Sequence, residues 1–143
     1  MYLSALFHYI CQKTRINPMI YGIGTDIVAE KRIETLYKKH GRAFAERVLH
    51  PAELPELEAA ARPAAFLAKR FAAKEAVAKA LGTGIRGAVS FRNIGVGHTA
   101  QGKPETVFAP PLQAFLDEIG VARVHLSIAD DSGTVTAYAV AEK

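Results

Sequence analysis

Apolar and polar positions alternate with period two from Ile20 to Val28, which predicts a strand. Tyr21, Ile23, Thr25 and Ile27 take one side, and Gly22, Gly24 and Asp26 take the other. The glycines leave the Asp26 face bare, so a bulky group is expected to approach that carboxylate closely; the plainer reading is a glycine-softened edge strand with a surface aspartate. From Ala29 to His40 the period lengthens. Ile33, Leu36 and Tyr37 fall at i, i+3, i+4, and Gly41 is a natural stop, which predicts a helix. Phe44–Leu49 reads as a second short helix closed before Pro51, and Pro51 opens another helical piece that includes Leu54 and Leu57. The strongest helical pattern runs from Ala64 to Leu81, alanine-rich and stopped at Gly82. At about 100° per residue Leu67, Phe71, Ala78 and Leu81 share one stripe, the expected core face. Glu75 lies about 80° round from Leu67, at the margin of that stripe, with Lys79 after it on the same side. A carboxylate there costs free energy unless a positive group meets it. An ordinary i, i+4 pair of Glu75 with Lys79, worth about 0.2–0.5 kcal/mol, is the alternative.

Gly82-Thr83-Gly84-Ile85-Arg86-Gly87 follows as a glycine-rich loop whose N–H groups are candidates for holding phosphate. It lacks the Gly-Lys-Ser/Thr ending of a Walker loop, and its helix precedes it instead of following. Ser90–Gly97 and Glu105–Phe108 read as short strands joined through Gly102-Lys103-Pro104. Val124, Leu126 and Ile128 alternate with His125, Ser127 and Ala129; Asp130-Asp131-Ser132-Gly133 reads as a turn; Val135, Ala137 and Ala139 then alternate with Thr136, Tyr138 and Val140. Helices and strands interspersed in this way make an α/β (α+β) chain with no internal repeat and no Pro-, Gly- or Ser-rich linker.

A length of 143 residues is that of one domain, and with half of them hydrophobic and 22% charged, disorder is excluded. A single cysteine, Cys11, excludes an internal disulfide and a cysteine-based zinc site and fits a reducing, cytoplasmic compartment. No apolar run approaches the roughly 20 residues that span a bilayer. Residues 1–18 differ in character from the rest. They carry a short apolar stretch without a charged n-region or a clear cleavage site, so they are expected to be an appended extension of a domain spanning 19–143 rather than a signal peptide.

The net charge is +4, and the segment Lys31–Arg47 alone carries that surplus, with Lys31, Arg32, Lys38, Lys39, Arg42 and Arg47 against Glu34 and Glu46. Such a patch attracts an acidic partner, unless it is merely a solvated helix face. Asp26 and Glu75 are candidate ligands for a hard cation such as Mg²⁺, which is often held by one or two carboxylates plus substrate phosphates. The five histidines show no metal spacing, and no Gly-x-Ser-x-Gly elbow is present. A nucleic-acid-binding module is the competing class. No strand alternates aromatic and basic residues, however, and Asp26 and Glu75 would repel a phosphate backbone unless a metal intervened.

Taken in order, Gly22-Ile23-Gly24-Thr25-Asp26-Ile27-Val28, Lys31-Arg32-Ile33, Phe44-Ala45-Glu46-Arg47-Val48-Leu49, Phe66-Leu67-Ala68-Lys69-Arg70-Phe71-Ala72-Ala73-Lys74-Glu75-Ala76 and Gly82-Thr83-Gly84-Ile85 closely resemble the holo-[acyl-carrier-protein] synthases, the small bacterial-type 4′-phosphopantetheinyl transferases. Gly102-Lys103-Pro104 and His125-Leu126-Ser127-Ile128 fit the same family, and the resemblance runs from about Met19 to Lys143. It implies the phosphopantetheinyl transferase fold, a small antiparallel-rich sheet packed against a long central helix. It also implies Mg²⁺-dependent transfer of the 4′-phosphopantetheine arm of coenzyme A to a serine of apo-acyl carrier protein, leaving adenosine 3′,5′-bisphosphate, in the service of fatty acid biosynthesis.

On the resemblance, Asp26 and Glu75 match the metal ligands and Lys79 would reach the pyrophosphate, with Glu75 and Lys79 as the catalytic pair. Arg47, Arg70, Lys79, the Gly82-Thr83-Gly84-Ile85 loop and Asp130 would contact coenzyme A. Arg32, Lys39 and Arg42 would dock the acidic carrier. The family is a homotrimer with sites at subunit interfaces. Many members carry a histidine where Asp130 stands, so that histidine's role does not transfer; Asp130 either accepts hydrogen bonds from the nucleotide or starts the hairpin turn. The proton of the attacking serine goes to a metal-bound water or to Glu75 through a water, and the sequence leaves both open. A carrier-binding protein without catalysis is disfavoured by the intact Asp26, Glu75 and Lys79.

Overall fold

The computed structural model describes residues 19–143; the expected extension, with Cys11, lies outside the described residues. Strands β1 (Ile20–Ala29), β4 (Arg123–Asp131) and β5 (Thr134–Glu142) form an antiparallel sheet in the order β1-β5-β4. Strands β2 (Ile94–His98) and β3 (Pro104–Phe108) form a separate antiparallel hairpin. The helices are α1 (Glu30–His40), α2 (Arg42–Val48), α3 (Leu54–Ala59, preceded by a 3₁₀ turn at Pro51–Glu53), α4 (Pro63–Ala80) and α5 (Pro110–Ile119). The expected α+β architecture, with an antiparallel sheet against a long central helix, is therefore what the chain adopts.

Helix α4 lies across the inner face of the three-stranded sheet, where β5 presents Val135, Ala137, Ala139 and Ala141, all buried. It is buried on nearly every side, not along one stripe: Ala65, Leu67, Ala68, Ala72, Ala73, Ala76, Val77, Ala78 and Ala80 all lie inside. A helix buried on nearly every side is one enclosed between two layers, here the sheet and the group formed by α1, α2, α3 and β2. The alanines make the close approach feasible, and so do Gly22 and Gly24. A Cβ on Gly22 would collide with the Ala80 carbonyl, and one on Gly24 with the Ala76 carbonyl and the Ala80 amide. The bare face beside Asp26 is thus filled by the backbone of α4, not left for an incoming group. The strand faces themselves fall as the alternation predicts, with Ile23 and Ile27 outward and Gly24 and Val28 inward.

Two local differences matter for the site. The hairpin turn is only Ser132-Gly133, both with positive φ (50° and 78°), and Asp131 pairs with Thr134. Two residues of that conformation match the right-handed twist of the flanking strands. Asp130 therefore belongs to β4 instead of opening the turn. The stretch between Phe108 and Val124, given no element above, holds α5; its signals are Pro110-Pro111 at the start, Leu112, Phe115, Leu116 and Ile119 at helical spacing, and a left-handed Gly120 at the end.

Candidate functional site

Close packing of β1 on the C-terminal half of α4 brings the acidic candidates together. Asp26, half-buried on the inner face of β1, receives the Lys79 ammonium at 2.9 Å from Oδ1, and the same ammonium donates to the Thr25 carbonyl oxygen at 2.9 Å. The Asp26 carbonyl oxygen in turn accepts a hydrogen bond from the Thr136 hydroxyl across the β1–β5 pair. Glu75 stands one turn before Lys79 and is half-buried. Burial raises its carboxyl above the ordinary range, the Asp26 charge raises it further, and Lys79 and Arg32 pull the other way. The expected i, i+4 pair between Glu75 and Lys79 does not form; the lysine goes to Asp26. Arg32 is thus near enough to act on Glu75, so this cation of α1 belongs to the rim of the acidic site as well as to the basic patch.

The remaining charges of the patch divide sharply. Lys31 and Lys38 both pair with Glu34, at 3.0 and 2.7 Å, and hold that carboxyl down to about 2. Arg42 pairs with Glu46 at 2.7 Å and reaches Glu58 at 3.4 Å. Arg32, Lys39 and Arg47 are exposed and, among the described residues, have no ion-pair partner. The carrier-docking candidates Arg32 and Lys39 are therefore free cations, whereas Arg42 is already neutralised.

On the other flank of α4, Lys69 pairs with Asp130 of β4 at 2.9 Å. Strand β4 is two strands from β1, about 10 Å away, so this pair is separate from the Asp26 site. Lys69 and Asp130 line a cleft of about 320 Å³ together with Arg70, His98 and Pro104. Burial and the neighbouring Arg70 lower the proton affinity of His98. Arg70, expected at a ligand, is buried and committed. Its Nη2 donates to Glu56 at 2.9 Å, its Nε lies 3.2 Å from Glu53 without hydrogen-bond alignment, and its guanidinium stacks 4.5 Å from the centre of the Phe66 ring. It forms part of the cleft wall.

The glycine-rich loop lies past the end of α4, against a second cleft, of about 450 Å³, lined by Gly82, Thr83, Arg86 and Phe115 among others. Its first N–H groups do not point outward to an anion. Gly82 donates to the Lys79 carbonyl, and Thr83 and Gly84 donate to that of Ala78, closing the helix. A single chain thus brings Asp26, Glu75, Lys79 and Arg32 to one place, and sets Asp130 with Arg70, and the Gly82–Ile85 loop, at two others.

One residue group escaped the sequence reading. Lys74 is fully buried, and its ammonium donates to the carbonyls of Val48 at 2.7 Å and Phe91 at 3.0 Å and to Glu53 at 2.5 Å. Glu53, also buried, accepts the N–H groups of His50 at 2.7 Å and Val96 at 2.9 Å. The signal was present: Lys74 falls about 20° from Leu67, in the middle of the stripe read as apolar.

Among the described residues no cluster of three or more His, Cys, Asp or Glu side chains suits a metal; Asp26 and Glu75 are a pair of carboxylates close enough for one charge to act on the other. Their hard oxygens and their mutual repulsion fit Mg²⁺, with further oxygens supplied by a phosphate-bearing ligand.

Comparison with known proteins gives the chain a family and a fold. The profile of the 4′-phosphopantetheinyl transferase superfamily matches residues 22–141. The holo-[acyl-carrier-protein] synthase of Neisseria meningitidis serogroup A is 66% identical over 125 residues, 87% of this chain and all of that protein. The crystal structure of a Neisseria meningitidis holo-[acyl-carrier-protein] synthase superposes with a TM-score of 0.85 at 63% identity, covering 87% of this chain and 100% of that one. The Bacillus anthracis holo-(acyl-carrier-protein) synthase in complex with CoA (3′,5′-ADP) superposes with a TM-score of 0.74 at 38% identity, covering 88% and 99%.

Proposed function

The chain belongs to the 4′-phosphopantetheinyl transferase superfamily and is a holo-[acyl-carrier-protein] synthase; on that premise we propose that Asp26, Glu75 and Lys79 carry the transfer of 4′-phosphopantetheine from coenzyme A to a serine of apo-acyl carrier protein. The observation that carries this reading is the meeting of two carboxylates and one ammonium where β1 crosses α4, with Arg32 at the rim.

Asp26 and Glu75 would hold Mg²⁺, which when bound supplies positive charge to the pyrophosphate oxygens. Lys79 is half exposed, and its ammonium would be laid on the same pyrophosphate. Charge develops there as the serine oxygen bonds to the β-phosphorus and the P–O bond to adenosine 3′,5′-bisphosphate breaks, the electron pair leaving on that phosphate oxygen. Glu75, whose proton affinity is raised by burial and by Asp26, takes the serine proton. Arg32 and Lys39 orient the acidic carrier, with Arg42 available only by giving up Glu46 and Glu58. Arg47 and Asp130 contact coenzyme A, Arg70 shapes the wall of the Asp130 cleft, and the Gly82–Ile85 loop meets the ligand through its outer edge and the Ile85 side chain.

This arrangement works as a homotrimer. One chain keeps the Asp26 site, the Asp130 cleft and the glycine loop apart, and a second copy can bring one chain's cleft to its neighbour's carboxylates. The outer face of the sheet suits such an assembly, because Ile23, Ile27, Tyr138 and Tyr21 stand exposed on it, Ile27 at 70%. No helix among the described residues is long and apolar enough to cross a membrane. An enzyme that modifies acyl carrier protein would serve fatty acid biosynthesis in the cytoplasm. The deciding experiment is the intact mass of purified apo-acyl carrier protein after incubation with the enzyme, coenzyme A and Mg²⁺. A gain of one phosphopantetheine is expected, lost in excess chelator and regained with Mg²⁺ or Mn²⁺. No mass gain with several apo-carriers would refute the reading, and gain undiminished by chelator would remove the metal from it.

A further inference from the structure

Lys79 is held by two oxygens and not by packing. Its side chain is half exposed, yet its ammonium sits 2.9 Å from both Asp26 Oδ1 and the Thr25 carbonyl oxygen. Among the described residues Asp26 has no other ion-pair partner, and Glu75 has none at all. Lys79 is therefore the ion-pair partner of Asp26 alone, seated on one oxygen of a carboxylate that has Glu75 as its acidic neighbour.

We infer that Lys79 is an internal counter-ion that occupies Asp26 in the free protein and must leave it for the carboxylate pair to take a divalent cation. This deepens the reading proposed above and rests on its metal assignment. The physical reason is competition for one site. Asp26 Oδ1 cannot serve an ammonium and a doubly charged cation at once without bringing two positive groups within a few ångströms of each other. Two carboxylates make a weak site to begin with, and a resident cation weakens it further. The ammonium leaves readily only when another anion accepts it, and the four-methylene stem of Lys79, exposed along half its surface, lets it swing to the pyrophosphate of coenzyme A. Substrate binding and cation binding then favour each other, and linkage requires the effect to be equal in both directions. The free enzyme accordingly keeps Asp26 paired without metal, and the cation enters together with the nucleotide.

The test reads cation binding, not turnover. Binding of Mn²⁺ to the full chain is followed by electron paramagnetic resonance of free Mn²⁺, with and without coenzyme A and with no carrier present. The wild type should bind Mn²⁺ weakly alone and distinctly more tightly with coenzyme A. Lys79→Met should bind Mn²⁺ alone about fivefold more tightly than the wild type, and coenzyme A should then add much less. Removal of a distant cation by Arg123→Met, on β4, should change the affinity less than about twofold. Mn²⁺ affinity in Lys79→Met equal to or weaker than wild type, or an equal gain in Arg123→Met, overturns the counter-ion role. Failure of the metal assignment has a different signature: Asp26→Asn would bind Mn²⁺ as well as the wild type in the presence of coenzyme A, and the inference would fall with it.

Discussion

Replacing Lys74 by methionine should destabilise the protein by about 3–5 kcal/mol, because it removes one partner of a buried ion pair and leaves the other charged. Met keeps most of the volume, so the cost is electrostatic and not a cavity. The lost ammonium donated three hydrogen bonds, to Val48, Glu53 and Phe91, and the two carbonyls have no replacement donor in a site that excludes water. Glu53 stays beside Arg70, whose Nε lies 3.2 Å from Oε1, and this residual pairing places the expectation near about 3 kcal/mol rather than 5. The chain has no tryptophan, so urea unfolding is best followed by far-UV circular dichroism at one fixed protein concentration. With a slope of about 2 kcal/mol/M the midpoint should fall by about 1.5 M. Glu53→Leu in the same background should not restore stability, because the N–H groups of Val96 and His50 then lose their acceptor.

A pH series adds a sign. Burial lowers the Lys74 ammonium to about 8, while an unfolded lysine titrates near about 10.4. Between these values the unfolded chain binds more protons, so this residue makes stability rise with pH, and the gap between wild type and Lys74→Met should widen from pH 8 to 10. A midpoint shift below about 0.5 M, or no larger than that of the exposed Lys38→Met, would refute the reasoning.

Four further outcomes are expected. Glu75→Gln should abolish transfer yet melt at a higher temperature in chelator at pH 7: a raised carboxyl costs stability above its folded titration, so the gain should vanish below about pH 4, and a lower melting temperature at pH 7 would contradict the burial argument. Gly24→Ala should cost about 1–3 kcal/mol and lower kcat, since the new methyl forces β1 off the backbone of α4 and moves Asp26 away from Glu75; unchanged melting and turnover would count against the close packing. Lys39→Glu should raise the carrier KM in a salt-sensitive way with kcat preserved, whereas Arg32→Glu should also shift the acid limb of kcat upward, and identical pH profiles for the two would separate Arg32 from the site. Ile27→Asp should yield a monomer by light scattering with little transfer; an active trimer would exclude the outer sheet face as the interface.

The sequence is legible where one period dominates. The alternation of β1 places Asp26 inward and Ile27 outward, as the structure has it. Helix α4 is legible in extent but not in environment, because alanine is compatible with any face, and only the second layer of α1, α2 and α3 determines that both sides are covered. The pairing of Lys79 escaped for a related reason. Within the helix its natural partner is Glu75, and the competing oxygen on Asp26 lies 53 residues away, brought close by two glycines whose purpose the strand pattern alone misassigns. The free and paired cations of α1 and α2 are also invisible to a count of charge, since two lysines share Glu34 and Glu46 with Glu58 occupies Arg42.

Helix α4 does two jobs with lysines only five residues apart, and its geometry explains why they do not interfere. Lys74 and Lys79 are about 140° apart around the axis, so one points into the layer of Glu53 and Phe91 and the other to the sheet at Asp26. The first is sealed from water and fully paired; its exchange would cost several kcal/mol, so it fixes the rotation of the helix about its axis. The second is half exposed, and its pair with Asp26 is worth no more than about 1 kcal/mol, small enough for a phosphate to take it away. Glu75 sits between the two, adjacent in sequence to the anchor and one turn from the mobile cation. An error of about 20° in helix rotation would swing a carboxylate at that radius by more than an ångström, enough to spoil a two-oxygen cation site. The buried Lys74–Glu53 pair thus joins the close packing of α4 on β1 in holding Glu75 in place while Lys79 stays half exposed.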